Sequence, residues 1–314
     1  MSFSNSKNYL WLILLILASV LTFRILYSSV NKQDFTVISS PLLSQTKSHL
    51  LDGCYHVYLD VGTNIGIQIR KLFEPSLYKD AKIHKVFNKY FNRNVNNLNR
   101  SLPYICAVGF EPNPNHEKTL KELNFSYDKC NWRVIILTKT AVSDQEGASE
   151  FFSDHDFKNL EWGGTIIDPS KKLYRQVKQT TNDEIKPIML LRLSKFINEI
   201  VGTRTIPDYL NKKELGKPSV IMKLDIEGSE VEVLEDIIMQ GSLQHLDVIM
   251  VEFHTWMTKD EERKKASKIL QEIITKIGIL SDILTKERDN KHGLKVIPLD
   301  DESFYLSNLP LPVC

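Results

Sequence analysis

The sequence is poor in the residues that mark several non-globular classes of protein. Its 314 residues include only 13 glycines, 12 prolines and 4 cysteines. These counts exclude a collagen-like chain, a low-complexity chain and a small scaffold held together by disulfide bonds. Neither sign of charge is in excess, because the sequence has 40 lysines and arginines and 39 aspartates and glutamates. A chain so balanced in charge is not expected to bind nucleic acid or another polyanion.

Apolar residues are plentiful by contrast. Hydrophobic residues make up 42% of the chain, which predicts a folded domain. A domain of about 260 residues buries roughly 70–75% of its unfolded surface and needs no disulfide bonds. The four cysteines have neither Cys-x-x-Cys spacing nor clustered histidines, which argues against a zinc site or a thiol redox centre. They are Cys54, Cys106, Cys130 and Cys314. Cys106 lies in an apolar run and is expected to be a thiol in the core.

The N-terminal part contains an apolar run with the length of a membrane span. Residues 10–23 are uncharged, and residues 9–27 are interrupted only by Arg24. At about 1.5 Å per residue, a helix over 9–27 would be roughly 28 Å long, close to the thickness of a thin bilayer core. The predicted segments are an N-terminal flank (1–8), a transmembrane anchor (9–27) and a polar stem (28–50). A cleaved secretory signal peptide is the alternative, since Ser28 and Ser29 supply small residues after the run.

The orientation of this anchor is only weakly indicated. Lys7 precedes the run, whereas Arg24 and Lys32 lie at or beyond its other end, so the positive-inside rule gives nearly a tie. Asn99 and Asn124 each begin an Asn-x-Ser sequon, which would accept a glycan if the domain faced a lumen. The sequence therefore predicts a single-pass membrane protein, with a slight preference for an orientation that places the folded domain in the lumen of the endoplasmic reticulum or Golgi.

From about residue 51, short β-rich runs alternate with helical patterns. The predicted strands are 56–61, 104–110, 133–137, 220–224 and 248–253, and the predicted helices are 118–123, 230–240 and 261–277. This alternation predicts an α/β domain over 51–314, with a parallel sheet covered by helices. In open sheets of this kind, ligands bind beyond the carboxyl ends of the strands.

An insertion at 75–102 separates the first two predicted strands. Its apolar residues have the spacing of an amphipathic helix: Ile83, Val86, Phe87, Tyr90 and Phe91. The other face of this helical pattern carries five basic residues, Lys79, Lys82, Lys85, Lys89 and Arg93. They are expected to form a solvated surface, or alternatively a basic lid over an acidic acceptor.

A loop containing glycines follows the first predicted strand. It has Asp60, Gly62, Asn64 and Gly66 at alternate positions. Glycine lets a ligand approach the backbone, and asparagine tolerates left-handed backbone angles. A dinucleotide-binding loop would have a glycine where Asn64 stands, to make room for a pyrophosphate. The loop therefore favours a nucleotide-type ligand without a pyrophosphate, although a plain strand-to-helix turn can contain the same residues.

An acidic residue, Glu111, ends the second predicted strand. A carboxylate in this place can accept two hydrogen bonds from a ribose diol. In dinucleotide-binding folds the equivalent acid follows the glycine loop by about 20 residues. Glu111 lies 49 residues beyond Gly62, a difference that the insertion explains. The alternative is an exposed glutamate that opens a turn.

The predicted strand at 220–224 ends in a group of charged residues. Alternation places Lys223 and Asp225 on one face, where neither should be buried unpaired. Asp225, Glu227 and Glu230 bring three carboxylates together between a strand and a helix, which suits acid/base chemistry or cation binding. A structural ion pair and helix-start acids explain Lys223 and Glu230 equally well, so a functional role is assigned only to Asp225 and Glu227.

Four motifs in this order resemble those of the FkbM-type methyltransferases, over residues 56–254. They are Asp60-x-Gly62-x-Asn64-x-Gly66, Phe110-Glu111-Pro112-Asn113-Pro114, Ala141-Val142-Ser143-Asp144 and Lys223-x-Asp225-x-Glu227-Gly228-x-Glu230-x-x-Val233-Leu234. The resemblance implies a Rossmann-like class I fold: a seven-stranded, mostly parallel sheet with an antiparallel last strand and helices on both faces. It also implies transfer of a methyl group from S-adenosylmethionine (SAM), usually to a hydroxyl oxygen.

The resemblance further implies roles for single residues. The glycine-containing loop would hold the methionine end of SAM, Glu111 the ribose, and residues 142–144 would lie by the adenine. The residues expected to bind the cofactor are therefore Asp60, Gly62, Asn64, Gly66, Glu111, Asn113, Val142, Ser143 and Asp144. Asp225 and Glu227 would line the place where donor and acceptor meet.

His254 completes the set of expected catalytic residues, which are Asp225, Glu227 and His254. It lies two residues beyond Glu252, near the end of the fifth predicted strand. An alcohol acceptor must lose a proton, and histidine is a candidate base because its ordinary pKa is near neutrality. A structural or exposed histidine is the alternative. No metal ligands are assigned, and residues 161–163 precede a segment that could cover the acceptor pocket.

The sequence thus predicts a membrane-anchored, SAM-dependent methyltransferase that acts on a hydroxyl of a glycan, lipid or small molecule, with no indication of oligomeric state. A nucleotide-sugar-dependent glycosyltransferase is the first alternative, because Asp154 and Asp156 have the Asp-x-Asp spacing that can hold a divalent ion. That triplet lies in a polar, loop-like stretch. A non-catalytic nucleotide-binding module is the second alternative, but such a protein would be expected to have lost one of the motifs.

Overall fold

The computed structural model describes residues 50–91, 104–153, 164–167, 187–208, 215–254, 294–298 and 310–313, and separate positions between 261 and 278. All of these residues belong to one compact unit, Ile38–Cys314. No helix in the described part of the chain is long and apolar enough to cross a membrane. The predicted anchor at 9–27 lies outside the described residues, so it stays a prediction.

The described residues form nine strands in two sheets. The strands are β1 (His56–Val61), β2 (Ile105–Glu111), β3 (Arg133–Thr138), β4 (Thr140–Ser143), β5 (Gly147–Glu150), β6 (Pro187–Arg192), β7 (Val220–Leu224), β8 (Val248–Val251) and β9 (Lys295–Pro298). The larger sheet has six strands in the order β3-β2-β1-β7-β8-β9, and the smaller sheet has the order β4-β6-β5.

Every neighbouring pair of strands in the larger sheet is parallel. The strand order reverses direction at β1, so the crevice for a ligand lies at the carboxyl ends of β1 and its two neighbours. The five strands predicted from the sequence are all present, within two residues at each end. The expected seventh, antiparallel strand is not among the described residues, which contribute six parallel strands to this sheet.

The smaller sheet was not predicted. β4 follows β3 after a single residue, Lys139, whose left-handed φ of 52° turns the chain out of the larger sheet. β6 pairs in parallel with β4 and antiparallel with β5. β5 has only half-buried and exposed residues, so its sequence lacks the apolar alternation by which strands are recognised.

Five α-helices are described. They are α1 (Ile67–Phe73), α2 (His84–Tyr90), α3 (Glu117–Lys129), α4 (Leu193–Phe196) and α5 (Glu230–Met239). The helices predicted at 118–123 and 230–240 are therefore confirmed, although the first continues to Lys129. The described positions between 261 and 278 are also helical, in agreement with the prediction for that segment.

Helices cover both faces of the larger sheet, as predicted. On one face, α1, α2 and α3 join an apolar cluster with alternate strand residues such as Tyr58, Ala107 and Ile221. On the other face, the ring of Phe110 in β2 contacts Phe196 of α4 edge to face, at 5.2 Å between centroids. The sheet therefore lies between two apolar layers, and its polar residues are concentrated at the strand ends.

The insertion contributes a helix to the core, as predicted. Phe87 of α2 meets Tyr58 of β1 edge to face at 5.1 Å, and its ring stacks with Phe91 at 5.9 Å. The lysines of the insertion that are described are exposed, as expected of a solvated face: Lys79, Lys82, Lys85 and Lys89. Arg93 lies outside the described residues, and the hypothesis of a basic lid stays untested.

The three cysteines that the structure describes are disulfide-bonded, which corrects the sequence analysis. Cys54, just before β1, forms a disulfide with Cys106 of β2, and both residues are buried. Cys130, at the end of α3, is disulfide-bonded as well. The prediction of a core thiol at Cys106 is therefore wrong. The length of the domain could show only that disulfides are unnecessary for a core, and the pairing depends on how β1 and β2 lie together.

One of the two sequons has a structural use. Asn124 is half-buried in α3, and its side-chain oxygen accepts a hydrogen bond from the backbone N–H of Ile136 in β3, at 3.1 Å. The side chain is thus engaged in joining a helix to the sheet, and it gives no support for glycosylation. Asn99, the other sequon, lies outside the described residues.

Burial of His56 makes the stability of the fold depend on pH. The imidazole of His56 in β1 is fully buried, and its Nε2 donates a hydrogen bond to the carbonyl of Leu215 at 3.2 Å. Burial lowers the pKa of His56 from 6.5 to about 4, the hydrogen bond opposes this shift, and the positive charge of Arg204 adds to it. The unfolded chain therefore binds a proton at this residue in a range of pH where the folded chain does not.

The contribution of His56 to the free energy of unfolding is expected to fall as the pH falls from 6.5 to 4, and to change little outside that range. The loss from this residue should reach roughly 3 kcal/mol, at 1.36 kcal/mol per pH unit of pKa difference. Urea unfolding of the wild type and of His56→Gln across pH 4–7 isolates the effect, because the variant lacks the titrating group. Equal slopes of unfolding free energy against pH in the two proteins would contradict this assignment.

Candidate functional site

The loop after β1 begins with a glycine that cannot be replaced without moving its neighbour. Gly62 has a φ of 84°, in the region that favours glycine. A Cβ at this position would lie 1.8 Å from the carbonyl oxygen of Asp225. The loops after β1 and β7 therefore touch at the carboxyl ends of adjacent strands, and the predicted donor loop adjoins the predicted catalytic loop.

Glu111 joins the loop after β1 to the loop after β2. Its Oε2 accepts a hydrogen bond from the backbone N–H of Asn64 at 2.5 Å, and its Oε1 accepts one from the N–H of Asn113 at 2.8 Å. Asn64 has a φ of 51°, the left-handed conformation that the sequence analysis anticipated. Glu111 is only 5% exposed, so the alternative of an exposed turn residue is wrong.

The carboxylate of Glu111 retains acceptor capacity, because each carboxylate oxygen offers two lone-pair sites. It is therefore suited to binding a diol. Asn113 has a different local function: its side-chain oxygen accepts a hydrogen bond from the N–H of Asn115 at 2.9 Å and caps the turn Pro114–His116. Asn113 thus shapes the loop that holds Glu111, and direct contact with a cofactor stays a prediction.

Lys223 is buried between two carboxylates. Its Nζ lies 3.0 Å from Oδ2 of Asp225 and 3.9 Å from Oδ1 of Asp60, and it donates a hydrogen bond to the carbonyl of Gly62. Asp60 and Lys223 are partners in the register of β1 and β7, which explains their contact. These contacts favour the structural interpretation of Lys223. Asp60 is fully buried and supports the loop through Lys223.

Asp225, Glu227 and His254 come together in one cluster, which the sequence analysis predicted. Nε2 of His254 lies 3.8 Å from Oδ1 of Asp225 and 3.6 Å from Oε1 of Glu227. The side chain of His254 is 4% exposed, whereas those of Asp225 and Glu227 are 23% and 17% exposed. The cluster is therefore open on the side of its carboxylates. Oε1 of Glu252 also lies 3.6 Å from the same nitrogen, a contact that the sequence analysis did not predict.

Glu230 holds the other nitrogen of His254. Its Oε1 lies 2.8 Å from Nδ1, and the same oxygen accepts a hydrogen bond from the N–H of Gly228 at 3.1 Å. Burial would raise the pKa of Glu230, but the hydrogen bond and the charge of His254 outweigh burial and lower it. Burial would lower the pKa of His254, but Glu230, Glu227 and Asp225 outweigh burial and raise that pKa to about 10.

It follows that Glu230 and the ligand-free His254 form an ion pair at neutral pH. A histidine that already carries two ring protons cannot accept another. The role of His254 as a base therefore stays a prediction, and it requires that a bound species first displace the proton on Nε2.

The backbone of Glu227 is held in an unfavourable conformation. Its φ is 56°, and Gly228 follows with a φ of 103°. The hydroxyl of Thr165 donates a hydrogen bond to the carbonyl of Glu227 at 2.7 Å, and Thr165 is 1% exposed. Thr165 was missed by the sequence analysis, since a lone threonine in a loop has no pattern. Left-handed angles in a residue other than glycine or asparagine are concentrated at functional sites.

The strain at Glu227 predicts opposite effects on stability and activity. A left-handed conformation costs most residues roughly 1–2 kcal/mol, whereas asparagine tolerates it. Glu227→Asn is therefore expected to raise the free energy of unfolding by about 1 kcal/mol and to lower the activity of the site, because the carboxylate is lost. Urea unfolding and an activity assay give the two values. Glu227→Gln is the matched control: it removes the same charge but keeps the strain, and an equal gain in its stability would contradict the explanation.

The other residues predicted to bind the cofactor are Gly66, Val142, Ser143 and Asp144. Gly66 precedes α1 with a φ of 90°, and a Cβ there would lie 2.5 Å from the side chain of Leu123 in α3, so it is required for packing. Val142 and Ser143 are buried at the end of β4, and the hydroxyl of Ser143 donates to the exposed Asp144 at 3.0 Å. Contact of these residues with adenine stays a prediction.

Two other segments of interest lie outside the described residues. One is 161–163, expected to precede a cover for the acceptor pocket, and the other is 154–156, on which the glycosyltransferase alternative depended. Neither prediction is tested by the structure.

The comparison with protein families agrees with the order of the motifs. The family model described as methyltransferase FkbM domain matches residues 60–281, which is more than half of the chain. This range includes the loop after β1, Glu111, Asp225, Glu227 and His254. No curated protein and no solved structure matches the chain. With its parallel α/β sheet and with these residues at the carboxyl ends of its strands, the chain belongs to the FkbM methyltransferase family.

Proposed function

We propose that this chain transfers the methyl group of SAM to a hydroxyl oxygen of a glycan, lipid or small molecule. The observation that carries the proposal is the buried carboxylate of Glu111, which bridges the loops after β1 and β2. It suits the diol of a ribose, and Asn64 in place of a glycine suits a ligand without a pyrophosphate. SAM contains a ribose and no phosphate, so it meets both requirements.

The charge of the neighbouring cluster also suits this donor. SAM carries a positive sulfonium, and the carboxylates of Asp225, Glu227 and Glu252 lie around His254 beyond the same strand ends. Gly62 brings this cluster into contact with the donor loop. A sulfonium held near the loop would therefore lie close to an acceptor held by the cluster.

The reaction follows from this arrangement. A lone pair of the acceptor oxygen attacks the methyl carbon, the S–CH₃ bond breaks as the O–CH₃ bond forms, and the sulfonium becomes a neutral thioether. The hydroxyl proton passes to a carboxylate of the cluster and then to water. Since charge is largely neutralised in such a transition state, positioning and removal of water should supply most of the acceleration.

Placement in the secretory pathway is part of the proposal. Disulfides persist in oxidising compartments and are rare in the cytosol, and the bond between Cys54 and Cys106 is therefore in keeping with a luminal domain. Residues 9–27 would anchor the chain in the membrane. The alternative of a cleaved signal peptide would place the domain in the same compartment.

Label transfer tests the proposed activity. The full-length protein, purified in mild detergent, is incubated with methyl-labelled SAM and with pools of glycans, lipids and small alcohols. The expected result is label on a hydroxyl oxygen, with one S-adenosylhomocysteine formed per methyl group. Binding of SAM without transfer to any pool would contradict the proposed acceptor classes, and transfer to nitrogen or carbon would contradict O-methylation.

A further inference from the structure

The catalytic cluster contains the donor atoms of a metal site. Asp225, Glu227 and His254 each present one ligand atom, and the three atoms lie within 4.8 Å of one another. Two carboxylate oxygens and one imidazole nitrogen are a donor set typical of divalent transition metals. The residues are on two different loops, after β7 and after β8, so the fold brings the set together.

The distances leave room for an ion among these atoms. Nε2 of His254 is 3.8 Å from Oδ1 of Asp225 and 3.6 Å from Oε1 of Glu227, beyond ordinary hydrogen-bond length. Ligand atoms bound at about 2.1 Å to one ion lie roughly 3.0–3.4 Å apart when they are adjacent. The two distances from Nε2 exceed this range by a few tenths of an ångström, and all three ligand atoms lie within 4.8 Å of one another, so rotation of the two partly exposed carboxylates would close the site around an ion.

A buried carboxylate on the far side of the imidazole provides a second, separate observation. Glu230 is 2% exposed, and its Oε1 lies 2.8 Å from Nδ1 of His254. That oxygen also accepts from the N–H groups of Gly228 and Ile226, at 3.1 and 3.3 Å, which fixes its position. Metal-binding histidines commonly donate their second N–H to a carboxylate, which orients the ring and leaves the other nitrogen for the ion.

The balance of charge agrees with a bound cation. Four carboxylates, those of Asp225, Glu227, Glu230 and Glu252, lie within 4 Å of His254. Lys223 is the cation that contacts Asp225 on its other side. A divalent ion would offset the excess of negative charge. It would remain accessible to a ligand from the side on which the carboxylates are partly exposed.

We propose that Asp225, Glu227 and His254 bind a divalent cation, with Mn²⁺ as the best match to this mixed oxygen and nitrogen set, and that Glu230 positions His254 for it. The role of the ion rests on the proposed function. The ion would hold the acceptor hydroxyl at a vacant coordination position and ease the release of the hydroxyl proton to water. The acceptor class is then an alcohol or diol that can bind a metal through oxygen.

Electron paramagnetic resonance of free Mn²⁺ tests the proposal without requiring activity. The full-length protein, stripped of metal with a chelator, is titrated with MnCl₂, and bound ion is read from the loss of signal. One saturable site is expected in the wild type, and Asp225→Asn, Glu227→Gln and His254→Gln should each weaken it at least tenfold. Glu230→Gln should also weaken it, as loss of an outer partner of a ligand commonly does by about 10–100-fold. Glu146→Gln, which changes an exposed carboxylate paired with Lys195, should leave binding unchanged.

Thermal unfolding of every variant separates loss of the site from loss of the fold. No saturable site in the folded wild type at millimolar Mn²⁺, or equal affinity in the wild type and in folded triad variants, would overturn the metal site. SAM titration of the same samples, with and without Mn²⁺, separates this inference from the proposed function. If the protein binds SAM but not Mn²⁺, the metal site is contradicted and the proposed function is not. If it binds Mn²⁺ but not SAM, the proposed function is contradicted and the metal site is not.

Discussion

Replacing Glu111 with alanine is expected to lower the affinity for SAM at least a hundredfold. The carboxylate would accept both hydroxyls of the ribose, and a hydrogen bond to a charged acceptor contributes about 1.5–3 kcal/mol. The change also removes the acceptor for the N–H groups of Asn64 and Asn113, so the two loops would lose their common support. Calorimetric titration of the full-length variant with SAM measures the effect.

Two further variants give this prediction its controls. Glu111→Gln keeps the size of the side chain but loses the charge, and it should have an intermediate affinity. Glu122→Ala removes an exposed carboxylate from α3 and should bind SAM as the wild type does. If a folded Glu111→Ala protein binds SAM with wild-type affinity, Glu111 does not contact the donor.

Asp225→Asn is expected to have the largest effect on turnover. The residue lies where the loops after β1 and β7 touch, its carboxylate contacts Lys223 and faces His254, and its side chain is 23% exposed. Loss of a group that takes or directs a proton in the transition state commonly costs about 10²–10⁴-fold in rate. SAM affinity should change only a few-fold, because the ribose contact at Glu111 is retained.

The measurement for this second prediction is the rate of S-adenosylhomocysteine formation at saturating SAM. Asp128→Asn is a matched control, since Asp128 is an exposed aspartate on α3, and it should keep the wild-type rate. A fall in SAM affinity large enough to explain the lost rate would show that Asp225 serves donor binding instead of the chemical step.

The larger sheet could be predicted because its strands are apolar on both faces. β1, β2 and β7 are buried at every position, so each is recognised in the sequence as a mainly apolar run bounded by turns. The site residues follow these runs directly, and strand ends in a parallel sheet meet at one edge. That is why Glu111 and Asp225 could be placed near the same crevice before any contact was known.

Contacts between distant segments could not be predicted in the same way. The disulfide of Cys54 and Cys106 spans 52 residues, and the pairing depends on the register of β1 and β2. The bond from Thr165 to Glu227 crosses 62 residues and involves a backbone carbonyl, which has no signature in sequence. The ion pair of Glu230 and His254 likewise depends on the packing of α5 against the end of β8.

His254 illustrates how surroundings change a prediction made from residue type. Its ordinary pKa suggested a base, whereas three neighbouring carboxylates raise that pKa to about 10. The sequence had placed Asp225, Glu227 and His254 in one site, and the structure places them together. What the sequence lacked was Glu230 as the partner of Nδ1, because helix-start acids are common without such a role.

Calorimetric titration of the full-length protein with SAM tests the central claim most directly, with NAD and a nucleotide sugar as comparison ligands and with Mn²⁺ already present at saturation in protein and titrant. We expect saturable binding of SAM, much weaker binding in Glu111→Ala, and no saturable binding of the comparison ligands. A folded protein that fails to bind SAM, and above all one that binds the nucleotide sugar instead, would contradict it.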